Sequence, residues 1–360
     1  MLDRCPNGSP VPVRRLVPRA LGAVLHRTKE RLQAAYRAKR VIEHLHAQPT
    51  LVVLSYHCLA RTAADIPNYI ALGNRTSPHV FEAGLRWLAA RFPFIGLHEG
   101  IRHWRSGRLA ATHIALAFDD AMRSIETEAL PILRRLNVPA TVFANASALD
   151  DGDISWVSKV AYLAQTGHDG LLRETFARPT PAEGWTRYLR QHCSRADLPR
   201  IERLDAAFRK IHGPLSGIHL TWKFLESTAA QDRLEIGNHG LSHTRFSAMT
   251  RSDQRASVLE NARRLERLPN YVPLFATPFG RPDDWNADTL AVAREVGHEL
   301  VTLDGGLNRA GRLTPYVDRV SGEVGSRAGL QVRLWRAIAE DRTRSHSSLA
   351  NTDREPRDFA

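Results

Sequence analysis

From residue 51 onward, short apolar runs rich in β-branched side chains alternate with longer amphipathic stretches. The runs predict strands at 51–56, 94–97, 114–118, 140–144, 234–238, 272–277 and 299–303. Between them, apolar residues recur at helical spacing: Phe81, Leu85 and Leu88 within 78–92, and Ile125, Leu130, Leu133 and Leu136 within 122–136. Further helices are expected from 97 to about 107 and over 252–268 and 286–296. Strands alternating with helices imply a parallel sheet or barrel. In such folds, ligand chemistry gathers where strands end and the following loops begin.

Two stretches depart from this rhythm. Residues 146–232 read as a mostly helical insertion at one edge of the sheet, carrying Trp156, Tyr162, Trp185, Tyr188 and Trp222. Those aromatics suit either extra packing or a lid that shapes a sugar site. Ahead of the first strand, residues 1–18 with Pro10, Pro12 and Pro18 read as irregular, and 20–46 as a basic amphipathic helix. Leu21, Val24, Leu25, Leu32, Tyr36, Ile42 and Leu45 form its apolar stripe, with Arg27, Lys29, Arg31, Arg37 and Arg40 around it. The chain thus divides into a basic arm (1–50), a barrel-like body (51–320) containing the insertion, and a C-terminal segment (321–360). That last segment is expected to be a helix followed by a polar, disordered tail from about 341.

Charge sharpens the reading of the arm. The formal net charge is +12, yet residues 1–50 hold ten Lys/Arg against three Asp/Glu, so over half the excess sits in that segment. Docking of the arm on the body and contact of residues 20–46 with an anionic membrane surface are both compatible with such a helix. The body is only mildly basic and carries no recognition motif, so no nucleic acid is expected as a partner. Cys5, Cys58 and Cys193 are far apart and form no CxxC, which excludes a disulfide framework and a thiolate zinc site. The apolar stretch 21–25 is shorter than the roughly 7–15 residues of a secretory h-region and the about 20 of a spanning helix. These observations predict a cytoplasmic protein, free or peripheral to the inner membrane.

Three strand ends carry chemistry. Asp119 and Asp120 follow the strand 114–118; adjacent strand residues face opposite sides, so both carboxylates reach one site only where the strand breaks into its loop. One Asp could then ligate a metal while the other contacts its water, although Asp-Asp before a helix also serves as an N-cap. His239 and His243 follow the strand 234–238 and are the one histidine pair four residues apart. On a helical turn that spacing places both on one face, suiting Zn²⁺, Ni²⁺ or Co²⁺. Pro278-Phe279-Gly280, after the strand 272–277, is turn chemistry able to aim a backbone N–H into a site.

In this order the three signals resemble the polysaccharide deacetylases, the NodB-homology domain of the family 4 carbohydrate esterases, over roughly residues 50–320. The likeness includes Leu54-Ser55-Tyr56-His57, Ala117-Phe118-Asp119-Asp120, Glu235-Ile236-Gly237-Asn238-His239 with His243, and Phe275 to Gly280. It implies an α/β fold, a distorted (β/α)7 barrel with the helical insertion and the basic arm added. It also implies one divalent metal ion, Zn or alternatively Co or Ni, held by Asp120, His239 and His243. Asp119 would be the general base, Phe279 the oxyanion-hole N–H, and the substrate an N-acylated, typically N-acetylated, amino sugar of a glycan, sugar nucleotide or lipid-linked saccharide. A deformylase or other amidase on a lipid-linked amino sugar, and an inactive glycan-binding barrel, are the alternatives.

Some positions depart from the family pattern. Ala121 replaces a usual Gly, and Ala276 stands where many relatives have an Arg that orients the base. The Leu-x-Leu-His that supplies the family's acid histidine is missing; His57 is its candidate substitute or a structural histidine. Asp283 and Asp284 suit either substrate contact or helix capping.

Overall fold

The computed structural model describes residues 19–62, 75–192, 195–228 and 233–351. The expected irregular segment 1–18, Cys5, Cys193 and the tail beyond 351 lie outside them. Seven parallel strands, with a short antiparallel pairing of Asn308–Arg309 to the start of the first, form one curled sheet: β1 Thr50–Tyr56, β2 His113–Phe118, β3 Ala140–Ala144, β4 Leu234–Asn238, β5 Tyr271–Ala276, β6 Glu299–Val301 and β7 Val320–Ser321. Their spatial order is β7-β1-β2-β3-β4-β5-β6, so each strand lies beside its successor and β7 returns to the free edge of β1. Between β6 and β7 a parallel bridge from Val301 to Val317 narrows the opening, and Thr302 donates its N–H to the Val317 carbonyl (2.8 Å). The result is the curled, barrel-like α/β fold expected from the alternation.

Burial on both faces explains why these strands read as nearly continuous apolar runs rather than alternating ones. All seven residues of β1 are buried. Val52, Leu54 and Tyr56 face an outer layer of helices, while Leu51 and Val53 point inward. Helix α1 (Arg19–Ala47) precedes the sheet, and α2 (Pro78–Ala89) packs outside it. The start of α2 is set by Ser77, whose hydroxyl accepts from the Val80 N–H, and by Pro78 at its first position. Helix α3 (Leu97–Arg105) sends Ile101 and Trp104 into the inner cluster with Leu51, Val53, Ala115 and Leu274. The strand expected at 94–97 is reduced to one bridge, Phe94 to Ile114, because α3 already begins at Leu97.

The helix expected at 122–136 begins as a π-helical turn, Ile125–Ala129, and continues as α4, Leu130–Leu136. Pro131 lacks the N–H that would bond four residues back. The preceding Leu130 N–H accordingly reaches five residues back, to the Ile125 carbonyl.

The insertion contains α5 (Trp156–Gln165), α6 (Asp169–Phe176), α7 (Trp185–His192), α8 (Leu198–His212) and α9 (Trp222–Thr228). The first four of these helices have an apolar core of their own, built from Val160, Leu163, Leu172, Trp185, Leu204 and Phe208, which meets the barrel at Met122 and Phe279. Buried Lys159 reaches both Asp153 and Asp205, tying α5 to α8. After β4 come α10 (Arg251–Leu265), α11 (Ala287–Glu295) and α12 (Arg327–Asn351).

Helix α1 docks. Val41 and Leu45 are fully buried and share a cluster with Leu330, Leu334, Ala337 and Ile338 of α12. Buried Arg309 joins both terminal helices, binding Asp341 through Nε, Gln48 through Nη1 (2.6 Å) and His44 through Nη2 (2.7 Å). The polar stretch expected to be disordered from about 341 is helical as far as Asn351, with Asp341 held in that ion pair. Among the described residues no helix is long and apolar enough to cross a membrane.

Candidate active site

Strand register assembles the site. β1 and β2 run level, with Tyr56 opposite Phe118, so the next residues, His57 and Asp119, emerge side by side. Asp119 donates its N–H to the Tyr56 carbonyl (2.9 Å), and the two side chains meet with His57 Nε2 3.8 Å from Asp119 Oδ2. β3 and β4 pair Ala144 with Asn238, and β4 and β5 pair Asn238 with Phe275, so His239 emerges between Asn145 and Ala276. Ser321 of β7 pairs with Ser55 of β1, which brings Glu323 to His57.

Asp120, His239 and His243 converge, with one candidate ligand atom each, all within 4.8 Å of one another. Asp120 Oδ1 stands 3.5 Å from His239 Nε2 and 3.2 Å from His243 Nε2. His239 Nδ1 lies 2.8 Å from the Ala276 carbonyl, an acceptor only, so Nδ1 carries the proton and Nε2 turns its lone pair inward. Asp120 Oδ1 and His239 Nε2 are buried without a hydrogen-bond partner. A carboxylate oxygen and two imidazoles so placed fit a divalent transition metal.

The two histidines do not share a helical turn, as their spacing suggested. Residues 239–245 form an irregular loop in which Gly240 (φ 72°) and His243 (φ 49°) both take left-handed backbone. Buried asparagines hold that loop. Asn145 Nδ2 donates to the carbonyls of His239 and Gly240 (both 2.7 Å), and Asn238 Oδ1 accepts from the Gly240 N–H (2.8 Å). Asn261 of α10 in turn donates to Asn238 Oδ1 (2.7 Å).

Opposite this loop, Asp120 (φ 66°) and Ala121 (φ 47°) are also left-handed, which turns the Asp120 side chain back toward the histidines. Ala121 holds this conformation despite its methyl group, at the modest cost that such backbone carries outside glycine. Phe279 (φ 64°) completes the ring of strained positions, its side chain edge-on to His243 at 4.7 Å and to Trp156 at 6.0 Å.

Asp119 has a partner that sequence reasoning missed. Arg319, fully buried, donates from Nη1 to Asp119 Oδ1 (2.6 Å) and from Nε to the Thr302 carbonyl (2.9 Å). An arginine just before β7 thus supplies Asp119 with the charged partner that Ala276 does not. Burial alone would raise the Asp119 pKa; Arg319 first, then His239 and His57, outweigh it and hold the carboxyl below its ordinary range. The signal lay in Val317-Asp318-Arg319-Val320, a charged pair inside an apolar run, since arginine is seldom buried unpaired.

Glu323 was missed as well. Its Oε1 accepts from both the His57 backbone N–H and Nδ1–H, each at 3.0 Å. Burial by itself would lower the His57 pKa, but the charge and hydrogen bond of Glu323, with Asp119 and Asp120 adding, raise it to about 10. Asp283 and Asp284 turn away from this centre. Asp284 accepts from the Arg281 N–H (3.0 Å) and pairs with Arg245 (3.2 Å).

These groups open into a cavity of about 340 Å³, lined by His57, Asp120, His243, Phe279 and Glu323, and walled on one side by the insertion through Ile154, Val157 and Ile218. None of Trp156, Tyr162, Trp185, Tyr188 and Trp222 lines it; Trp156 and Trp185 pack in the insertion core instead.

The strand ends of a barrel-like parallel sheet thus gather two adjacent aspartates, one of them held by a buried arginine, and two histidines. The polysaccharide deacetylase family profile matches residues 106–301, and the chain belongs to that family, hydrolases of amide bonds that deacetylate glycans. Among solved structures, the chain is similar to the Streptococcus pyogenes deacetylase PplD in complex with acetate. The TM-score is 0.54 at 17% identity, covering 80% of this chain and 99% of that one. IcaB from Ammonifex degensii gives 0.51 at 18% identity, covering 80% of this chain and 97% of that one. At these identities the likeness is one of fold. A search of the curated proteins finds no match.

Proposed function

We propose that this protein is a divalent-metal-dependent deacetylase that hydrolyses the acetamido group of an amino sugar. The observation that carries it is the convergence of Asp120, His239 and His243 beside Asp119 and His57, with His57, Asp120, His243 and Phe279 lining one cavity. Asp120, His239 and His243 would hold the ion, and the mixed oxygen and nitrogen set favours zinc, with cobalt or nickel as substitutes. When bound, such an ion supplies Lewis acidity and lowers the pKa of water.

The chain's own residues account for the proton traffic. Asp119, kept ionised by Arg319, takes a proton from the attacking water. His57, kept protonated by Glu323, stands on the far side of the same carboxylate and gives its Nε2 proton to the departing amine. Two groups whose environments push their pKa values apart form an acid and base pair. The Phe279 amide, on the left-handed turn before Gly280, is assigned to the oxyanion that develops on the carbonyl.

We further propose a cytoplasmic location, free or peripheral to the inner membrane; the basic amphipathic pattern of residues 20–46 supports an anionic membrane surface as a contact. Acetate release from N-acetylated sugars by the purified protein tests the activity. Release should stop with a chelator and return on adding zinc. Release that persists after complete metal removal would refute the metal-dependent reading.

A further inference from the structure

The catalytic cavity carries excess charge of one sign on its outer walls. Arg190 reaches it from α7 of the insertion, Arg281 from the residue after Gly280, and Arg333 from α12. The lining carboxylates are already engaged: Asp120 with the two histidines and Glu323 with His57. Behind Arg281 stands buried Asp284, and Arg245 matches its charge at 3.2 Å. Among the described residues, none of Arg190, Arg281 and Arg333 forms a salt bridge.

Elsewhere several surface arginines have carboxylate partners. Arg86 and Arg135 share Glu82, Arg209 pairs with Asp205, and Arg264 with Glu260. Arg190 and Arg281 line the cavity without such a partner. Arg190 shows the consequence: burial first, then the charges of Arg281 and Arg187, push its pKa down against the pull of Asp284. Neutral sugar hydroxyls need acceptors as well as donors, whereas guanidinium groups offer donors and positive charge alone. They match phosphate and carboxylate oxygens.

We propose that Arg190 and Arg281 form an anion subsite that holds a phosphate or carboxylate group of the substrate beside the acetamido sugar being hydrolysed. Arg281 lies two residues from Phe279, so the anionic group sits on the reacting sugar or its immediate neighbour. Exposed Arg333 at the rim adds attractive field for an approaching anion. This inference rests on the deacetylase reading for the identity of the reacting sugar, while the subsite itself is defined by charge alone.

The test uses the full-length, metal-loaded protein and three probes: a neutral N-acetylated chito-oligosaccharide, N-acetylglucosamine 1-phosphate, and an N-acetylated oligosaccharide containing uronic acid. Calorimetric binding and acetate release are measured for each. At least one anionic probe should bind about tenfold or more tightly than the neutral one, an advantage that shrinks with salt. A gain for the phosphate probe alone identifies phosphate, and a gain for the uronate probe alone identifies carboxylate. The double variant Arg190→Gln/Arg281→Gln should lose that advantage, and Arg190→Lys/Arg281→Lys should recover part of it. Arg102→Gln/Arg108→Gln, an equal charge change off the cavity, should keep it. Equal affinity for neutral and anionic probes, binding of none, or an advantage that survives in the Gln double variant overturns the subsite. Anion-selective binding without acetate release from any probe removes the deacetylase reading and leaves the subsite standing; unselective acetate release does the reverse.

Discussion

Single residues at this site do one task each, and substitutions should separate them. Asp119→Asn should keep the metal, because Asp120 and not Asp119 faces His239 and His243. Turnover should fall by about 10²-fold or more, the usual scale for a general base; elemental analysis and acetate release report the two quantities independently. His239→Ala should do the opposite at the first step, losing metal while circular dichroism stays native. The strand beneath His239 is held by its own ladder, so stoichiometric metal in that variant would remove His239 from the ligand set. Arg319 is a positioning residue. Removing it as Arg319→Met strands a buried carboxylate and should cost about 3–5 kcal/mol of stability by chemical denaturation. Adding Asp119→Asn should restore part of that loss, since the stranded charge is then gone. Additive losses in the double variant would show that the pair is not coupled.

At the scale of elements, loops do the aiming. Four non-glycine residues at positive φ, Asp120, Ala121, His243 and Phe279, belong to three strand-end loops around one cavity. The insertion is closed on itself by a similar device. Asp150 (φ 56°) and Asp151 (φ 57°) follow β3, and Asp151 accepts from the backbone N–H groups of Gly217, Ile218 and His219 at 2.5, 2.9 and 2.8 Å. This latch joins the start of the insertion to its far end. Burial tends to raise the Asp151 pKa, but His219 and the three amides lower it well below the ordinary value. A depressed folded-state pKa contributes stability above the unfolded value of about 3.9 and loses it as pH falls through the folded one. Asp151→Asn should therefore be less stable than the wild type at pH 7, with the gap closing below about pH 4. Thermal melts across that range measure it, and a gap constant with pH would exclude the charged latch.

For the whole molecule, the terminal helices are structural. Starting the chain at Thr50 removes buried Val41 and Leu45, bares the apolar face of α12, and takes His44 and Gln48 from Arg309. Each fully buried aliphatic side chain is worth about 1.5–3 kcal/mol. The shortened protein should melt lower and aggregate, as scanning calorimetry and light scattering would show; an unchanged melting temperature would contradict the docking. Cosedimentation of the full chain with anionic liposomes, weakening with salt, checks the separate expectation of membrane contact through residues 20–46.

The chain's own pattern determined the parallel architecture, because strands buried in a covered sheet must be written as apolar runs; β1 to β6 could be read to within two residues, whereas the short β7, Val320–Ser321, could not. It also marked Asp119, Asp120, His239, His243 and Phe279, since each lies just beyond a recognisable strand and carries distinctive chemistry. Tertiary structure decided the rest. Strand register put His57 beside Asp119, and return of the chain to the edge of β1 delivered Arg319 and Glu323 from about two hundred residues away or more. The convergence of His239 and His243 came from a loop pinned by buried asparagines and not from helical spacing. The arm gave one basic amphipathic pattern compatible with membrane or barrel, and the apolar face of α12 settled where Val41 and Leu45 lie. Local pattern specifies which face of an element is apolar; which surface covers it, and which distant charge answers a buried one, depends on contacts between segments far apart in sequence.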